Sequence, residues 1–128
     1  MFKKEITYKD YNGNSHTENF YFNLSRLDIH KLDKSYEKGF QEAYDAAIAA
    51  NNTRAITDIF LDMIFRAYGK KSDDGMSFEK SEEISEKFMN GPAFEALLEE
   101  LTNDPKAMET FFYGIIPQNV NSAVTPLA

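Results

Sequence analysis

Cysteine is absent from this 128-residue chain, and so are tryptophan and any excess of positive charge. Without cysteine, the chain can form no disulfide bonds, thiolate zinc sites or thiol nucleophiles. Its net charge of −7 disfavours nucleic-acid binding, because that function normally needs a basic face to neutralise phosphates. The N-terminal residues lack the apolar segment of a secretory signal. The most apolar segment, 54–68, is too short and too charged to span a bilayer. We therefore expect a cytoplasmic protein that contacts neither nucleic acid nor membrane.

The chain does contain the residues that build a hydrophobic core. Hydrophobic residues make up 42% of it, with 11 Phe and 7 Tyr, which is typical of a folded globule rather than a disordered chain. Its length fits one domain. We expect that domain to cover residues 1–117, and the uncharged residues 118–128 to form a flexible tail.

Residues 54–68 have the strongest helical pattern in the sequence. Their polar residues recur at every fourth position, which places them in one stripe on a helix face. Most of the remaining residues are apolar, which predicts a central helix with other helices packed around it. The polar stripe consists of Arg54, Asp58, Asp62 and Arg66.

Two strands, 2–9 and 16–23, are predicted on either side of Asn12-Gly13, a strong hairpin signal. A three-residue loop, Asn12 to Asn14, would place Phe20 opposite Ile6 and gather the apolar side chains on one face, as burial of a face requires. A lone hairpin is marginal in water, so we expect it to pack on the helices or to pair its edges with another subunit. The shared face would carry Phe2, Ile6, Tyr8, Phe20 and Phe22.

Helical spacing and capping signals predict further helices before and after the central one. Ser25 and Asp28 resemble a capping box, with Leu24, Leu27 and Leu32 inward. Gly69 suits the C-terminal cap of the central helix. The polar loop after it offers Asp74 or Ser77 as a cap for the next helix. The fold class is therefore mainly α with an N-terminal β-hairpin (α+β) and about five to six helices. The predicted helices span about 25–34, 38–50, 54–68, 78–89, a segment starting at 92, and a last segment from 105 that Pro117 ends.

No residue pattern in the sequence indicates catalysis. An EF-hand calcium loop centred on Gly75 would have Lys70 and Ser81 at its first and twelfth positions, where that site needs acidic residues. His16 and His30 lack metal-ligand spacing, and no nucleophile motif is present. We therefore expect no enzymatic activity, no metal and no cofactor.

Three segments, read in order, resemble a known family. They are Phe65 to Ser81 (FRAYGKKSDDGMSFEKS), Pro92 to Asp104 (PAFEALLEELTND) and Phe112 to Pro117 (FYGIIP). Together they resemble the tail assembly chaperones of long-tailed, siphovirus-type phages and prophages of Gram-positive bacteria, and the resemblance covers residues 3–117. Met76-Ser77 replaces a basic pair of the family pattern, which concerns loop geometry rather than fold.

The resemblance implies a non-enzymatic protein-binding role in the host cytoplasm. Such proteins bind the tape-measure protein, keep it soluble, help to recruit tail-tube subunits and are absent from the mature tail. An apolar groove could cover an exposed helical stripe of that partner. The alternative function is a small acidic regulatory or structural module that self-associates through its hairpin edge. We expect the partner groove to be bordered by Tyr68, Phe111, Phe112, Tyr113 and Ile115, with burial of the same five residues in the core as the alternative.

Overall fold

The structure is a computed structural model that describes residues 1–116. It confirms a mainly helical α+β fold with an N-terminal antiparallel hairpin. These residues divide into two compact units, the first made of residues 1–23 and 68–116 and the second of residues 24–67. The predicted tail, 118–128, lies outside the described residues. The strands are β1 (Phe2–Lys9), β2 (Ser15–Phe22), β3 (Tyr68–Lys71) and β4 (Phe78–Glu79), and the helices are α1 (Arg26–Lys34), α2 (Phe40–Ala49), α3 (Thr53–Ala67), α4 (Glu82–Met89), α5 (Pro92–Asn103) and α6 (Pro105–Ile115).

The hairpin belongs to a four-stranded antiparallel sheet of order β1-β2-β3-β4. The predicted face is correct, since Phe2, Ile6 and Phe22 lie on one side of the sheet. The predicted register is wrong by two residues, because Phe20 lies opposite Lys4 and not opposite Ile6.

The hairpin turn explains the shift in register. The Asp10 N–H donates to the Asn14 carbonyl over 2.9 Å, and the Gly13 N–H donates to the Asp10 carbonyl over 3.0 Å. The Asp10 carboxylate also accepts the N–H groups of Asn12 and Asn14, each at 2.9 Å. Gly13 has a φ of +87°, which glycine adopts at little cost. The three-residue loop is therefore Tyr11 to Gly13, one residue earlier than predicted.

Gly69 lies in β3, so its predicted role as the cap of α3 is wrong. A Cβ at Gly69 would lie 2.7 Å from Cε2 of Phe78 and 2.8 Å from the Glu79 carbonyl oxygen. Glycine is therefore required because β4 and the Phe78 ring lie directly against this backbone position.

The segment after β3 forms a turn into β4, and α4 starts later than predicted. The Asp74 carboxylate accepts the Met76 N–H at 2.9 Å and the Ser72 hydroxyl at 2.6 Å, so it closes the turn rather than capping α4. The cap of α4 is Ser81, whose hydroxyl accepts the Ile84 N–H at 3.1 Å. Phe78 thus belongs to a strand, where the sequence pattern placed it in a helix.

In the second unit, α1 and α2 both pack on α3. The capping box at Ser25 is confirmed by both of its hydrogen bonds with Asp28. The prediction that Leu27 points inward is wrong, since Leu27 is 60% exposed, whereas the unpredicted Ile29 is buried. The buried face of α3 consists of Ile59, Phe60, Met63, Ile64 and Ala67.

The polar stripe of α3 is exposed at Arg54 and Asp58 and half-buried at Asp62 and Arg66. Asp62 accepts a hydrogen bond from the Tyr36 hydroxyl over 3.0 Å and pairs with Arg66 over 3.1 Å. The Tyr36 pKa is raised to about 12 by burial and by the Asp62 carboxylate.

In the first unit, α5 packs on β1, α4 and α6. The apolar side of α5 is largely buried, with Leu97 and Leu101 in the core. Gly114 of α6 lies directly against the Phe2 ring of β1, so a Cβ there would clash with Cδ1 of that ring. That ring also contacts Phe111 edge-on, with centroids 5.2 Å apart.

Candidate functional site: an aromatic cleft

The first unit carries a cleft of about 500 Å³ between the sheet and the segment from α4 to the start of α5. We call it the aromatic cleft. Rings and aliphatic side chains form most of its wall, and charged side chains of both signs accompany them. It is lined by Tyr8, Glu18, Phe20, Tyr68, Lys70, Glu83, Ile84, Lys87, Phe88, Gly91, Pro92 and Ala93.

Stacked rings hold the wall of the cleft in place. Tyr68 and Phe88 are parallel, with centroids 4.0 Å apart and an interplanar angle of 10°. Phe20 lies 5.3 Å from Phe88, and Tyr8 lies 6.2 Å from Phe20. Aromatic contacts of this kind add about 0.5–1.5 kcal/mol each to the free energy of area burial. The cleft is therefore a preformed surface rather than a gap between loose side chains.

Strand alternation places these rings on the wall of the cleft. Tyr8 and Phe20 are even-numbered residues of β1 and β2, and they share the sheet face that also carries Ile6 and Phe22. Tyr68 enters the same face because β3 pairs with β2 and places Tyr68 opposite Phe22. Helix α4 supplies Phe88 from the other side of the cleft.

Hydrogen bonding and burial keep both tyrosines neutral far above physiological pH. The Tyr8 hydroxyl donates to the Glu18 carboxylate, and this bond, with burial and the Glu18 charge, raises the Tyr8 pKa to about 12. Burial, followed by the charge of Glu18, also raises the Tyr68 pKa. The cleft thus contains two uncharged tyrosines and two carboxylates, of which Glu18 accepts the hydrogen bond from Tyr8.

The five residues predicted to border a partner groove do not lie together. Tyr68 lines the aromatic cleft. Phe111 lines a second, smaller cleft of about 310 Å³ with Phe2 and residues of α5 and α6. Burial in the core, the alternative, describes four of the five residues, since Tyr68 is 7% exposed and Phe111, Phe112 and Ile115 are at most 3% exposed. Tyr113 differs, because it is 40% exposed on α6. A role for these five residues in partner binding stays a prediction.

Sequence reasoning missed most of the aromatic cleft. The predicted strand 16–23 contains Phe20, and the predicted helix 78–89 contains Phe88. Strands β3 and β4, which bring Tyr68 beside these two rings, were not predicted. One signal was available: Tyr68-Gly69-Lys70-Lys71 and Phe78-Glu79 flank the turn residues Ser72 to Gly75, a pattern that indicates a hairpin.

Residues 1–116 contain no group of three or more His, Cys, Asp or Glu side chains placed to hold a metal ion. Over the same residues, no helix is both long and apolar enough to cross a membrane.

A family model described as phage tail assembly chaperone matches residues 1–126. The chain belongs to this family, which confirms its resemblance to phage tail assembly chaperones. Membership implies a role in assembling phage tails rather than in catalysis. Searches of curated proteins and of solved structures found no match.

Proposed function

We propose that this tail assembly chaperone binds the tape-measure protein of its phage through the aromatic cleft. Family membership supports an interaction with phage tail proteins. The observation that carries the proposal is a cleft of about 500 Å³ in which the partly exposed Phe20 and Ile84 lie beside the buried stacked pair of Tyr68 and Phe88. Such a preformed aromatic surface is typical of a protein-binding hot spot.

The proposed occupant is one apolar face of a tape-measure helix. A helix binds a groove by inserting side chains spaced three and four residues apart. Ile84 and Phe88, four residues apart on α4, offer apolar contacts to such side chains. Glu83 and Lys87 flank them and could pair with charges of either sign beside the inserted face.

Binding would keep the tape-measure protein soluble in the host cytoplasm until the tail tube encloses it. A chain of net charge −7 favours solubility of such a complex. In this proposal the chaperone also helps to recruit tail-tube subunits and leaves before the tail is complete. Tyr113, exposed on α6, is our candidate for a second contact outside the cleft.

Co-expression with the tape-measure protein from the same genome tests the proposal. Ile84→Glu would place a charge in the apolar part of the cleft and should lower the amount of co-purified partner at least about tenfold, since loss of a hot spot costs about 2 kcal/mol. Glu86→Lys is the matched control, because Glu86 lies on the same helix, is exposed, and does not line the cleft.

Circular dichroism must first show that both variants fold like the parent. Equal capture by Ile84→Glu and the parent chain would then exclude the cleft as the binding site. Absence of any complex with the parent chain would count against tape-measure binding itself.

A further inference from the structure

Strand β1 is the outer strand of the sheet within residues 1–116. Its alternate side chains, Lys3, Glu5, Thr7 and Lys9, are all exposed. The even-numbered side chains of β1, which include the buried Ile6, lie on the opposite face of the sheet. Helix α5 packs on β1. An outer strand of eight residues offers a row of backbone N–H and C=O groups to another strand.

The hairpin turn shows which backbone groups point outward. Hydrogen-bonded and non-hydrogen-bonded residue pairs alternate along an antiparallel pair of strands. The Asp10 N–H donates to the Asn14 carbonyl, so Asp10 belongs to a hydrogen-bonded pair. The even-numbered residues of β1 therefore direct their backbone groups toward β2. Thr7 and Thr17 form a non-hydrogen-bonded pair, in which side chains lie close together, and their hydroxyl oxygens are 3.0 Å apart. The odd-numbered residues therefore direct their N–H and C=O groups to the outer edge.

Charge selects one register for pairing between two copies of this edge. A two-fold axis at Thr7 places Glu5 of each chain opposite Lys9 of the other, and opposite charges across strands are favourable. An axis at Ile6 places Lys3 opposite Lys9, and an axis at Glu5 places the two Glu5 residues opposite each other. Both of these alternatives bring like charges together.

An axis at Lys4 would pair Lys3 with Glu5, but it would also place the two Lys4 residues opposite each other. An axis at Tyr8 would form no pair of opposite charges.

We propose that two copies of this chain pair antiparallel through the outer edge of β1, with the two-fold axis at Thr7. The pairing forms about six backbone hydrogen bonds and two Glu5–Lys9 ion pairs. Lysine on an outer strand normally opposes pairing, but in this register Lys9 has an acidic partner. The proposal does not depend on the identity of the phage protein that the chaperone binds.

Charge reversal on the intact chain tests this register by sedimentation equilibrium. The parent chain should dimerise with increasing concentration. Glu5→Lys alone places a lysine opposite Lys9, and Lys9→Glu alone places a glutamate opposite Glu5. Each single variant should weaken the dimer at least about tenfold, since each changes two symmetric cross-strand pairs. The double variant, and an equimolar mixture of the two single variants, should regain dimerisation.

Two further variants separate pairing from folding. Thr7→Pro removes an outward N–H that β2 does not use, and proline is tolerated on an outer strand; it should abolish the dimer while circular dichroism stays unchanged. Lys3→Glu should leave the dimer intact, because Lys3 lies outside the Glu5–Lys9 pairs. A strictly monomeric parent chain, or a dimer that none of these variants changes, would overturn the proposal.

Discussion

Replacing Gly69 by alanine should destabilise the protein, although alanine has the greater intrinsic propensity for ordered structure. The added Cβ would lie 2.8 Å from the Glu79 carbonyl oxygen and 2.7 Å from a carbon of the Phe78 ring. The ring could turn, but the carbonyl belongs to β4, where Glu79 pairs with Lys70. Relief of the clash therefore requires β3 and β4 to separate.

The expected loss follows from two opposing effects. Overfilling a packed site destabilises a protein by about 1–3 kcal/mol. Replacing glycine by alanine also lowers the entropy of the unfolded chain, which stabilises the folded state by about 0.4–1 kcal/mol. The free energy of unfolding should therefore fall by about 1–2 kcal/mol. For a chain of this size, this corresponds to a drop in Tm of roughly 4–10 °C.

Thermal and urea unfolding of Gly69→Ala measure this loss. Lys70→Ala is the control, because it changes an exposed residue of the same strand without adding atoms, and its effect should stay within about 0.5 kcal/mol. In a Phe78→Ala background, Gly69→Ala should cost less, since the ring contact is gone. An unchanged or higher Tm for Gly69→Ala would refute the assigned packing of β4.

Three further variants test hydrogen bonds in both units. Ser25→Ala removes the N-cap of α1 and should cost about 1 kcal/mol in urea unfolding; a loss within error would contradict the capping role. The Ser72 hydroxyl lowers the pKa of Asp74, so stability from this contact is present above the ordinary Asp pKa of 3.8 and is lost as pH falls through the folded value. Asp74→Asn should therefore be less stable than the parent at pH 7, and the gap should narrow below about pH 4; a gap that persists at low pH would count against the assignment. Because Tyr36 has its pKa raised to about 12 beside Asp62, its stabilising effect is present below pH 10 and is lost as pH rises toward 12. Tyr36→Phe should reduce the parent's loss of stability in this alkaline range, and tyrosinate absorbance should show one fewer late-titrating group.

Local signals in the sequence were sufficient for most of the helices. Ser25 and Asp28 cap α1, and Pro92 and Pro105 begin α5 and α6, as predicted. These signals involve residues that are close in the sequence, so they can be recognised in a single sequence. The face of the β1–β2 hairpin was also predictable, because alternation of apolar residues determines it.

Features set by contacts between distant residues were not predictable in the same way. The hairpin register depends on the side chain of Asp10. This carboxylate holds a loop of Tyr11 to Gly13, which begins one residue earlier than the predicted loop of Asn12 to Asn14. The sequence pattern predicted Gly69 to be a helix cap, because the contact between Gly69 and Phe78 exists only when β3 pairs with β4. Tyr68 was predicted as a partner contact, but its neighbours Phe20 and Phe88 in the aromatic cleft come from other elements.

In our proposal, this chaperone binds its tail protein partner at the aromatic cleft. Hydrogen exchange of the chaperone, free and in complex with the tape-measure protein, tests it most directly. Binding at the cleft should slow amide exchange in α4, around Ile84 to Phe88, and at the start of α5. Unchanged exchange in this segment, with protection confined to α1 and α2, would contradict the claim.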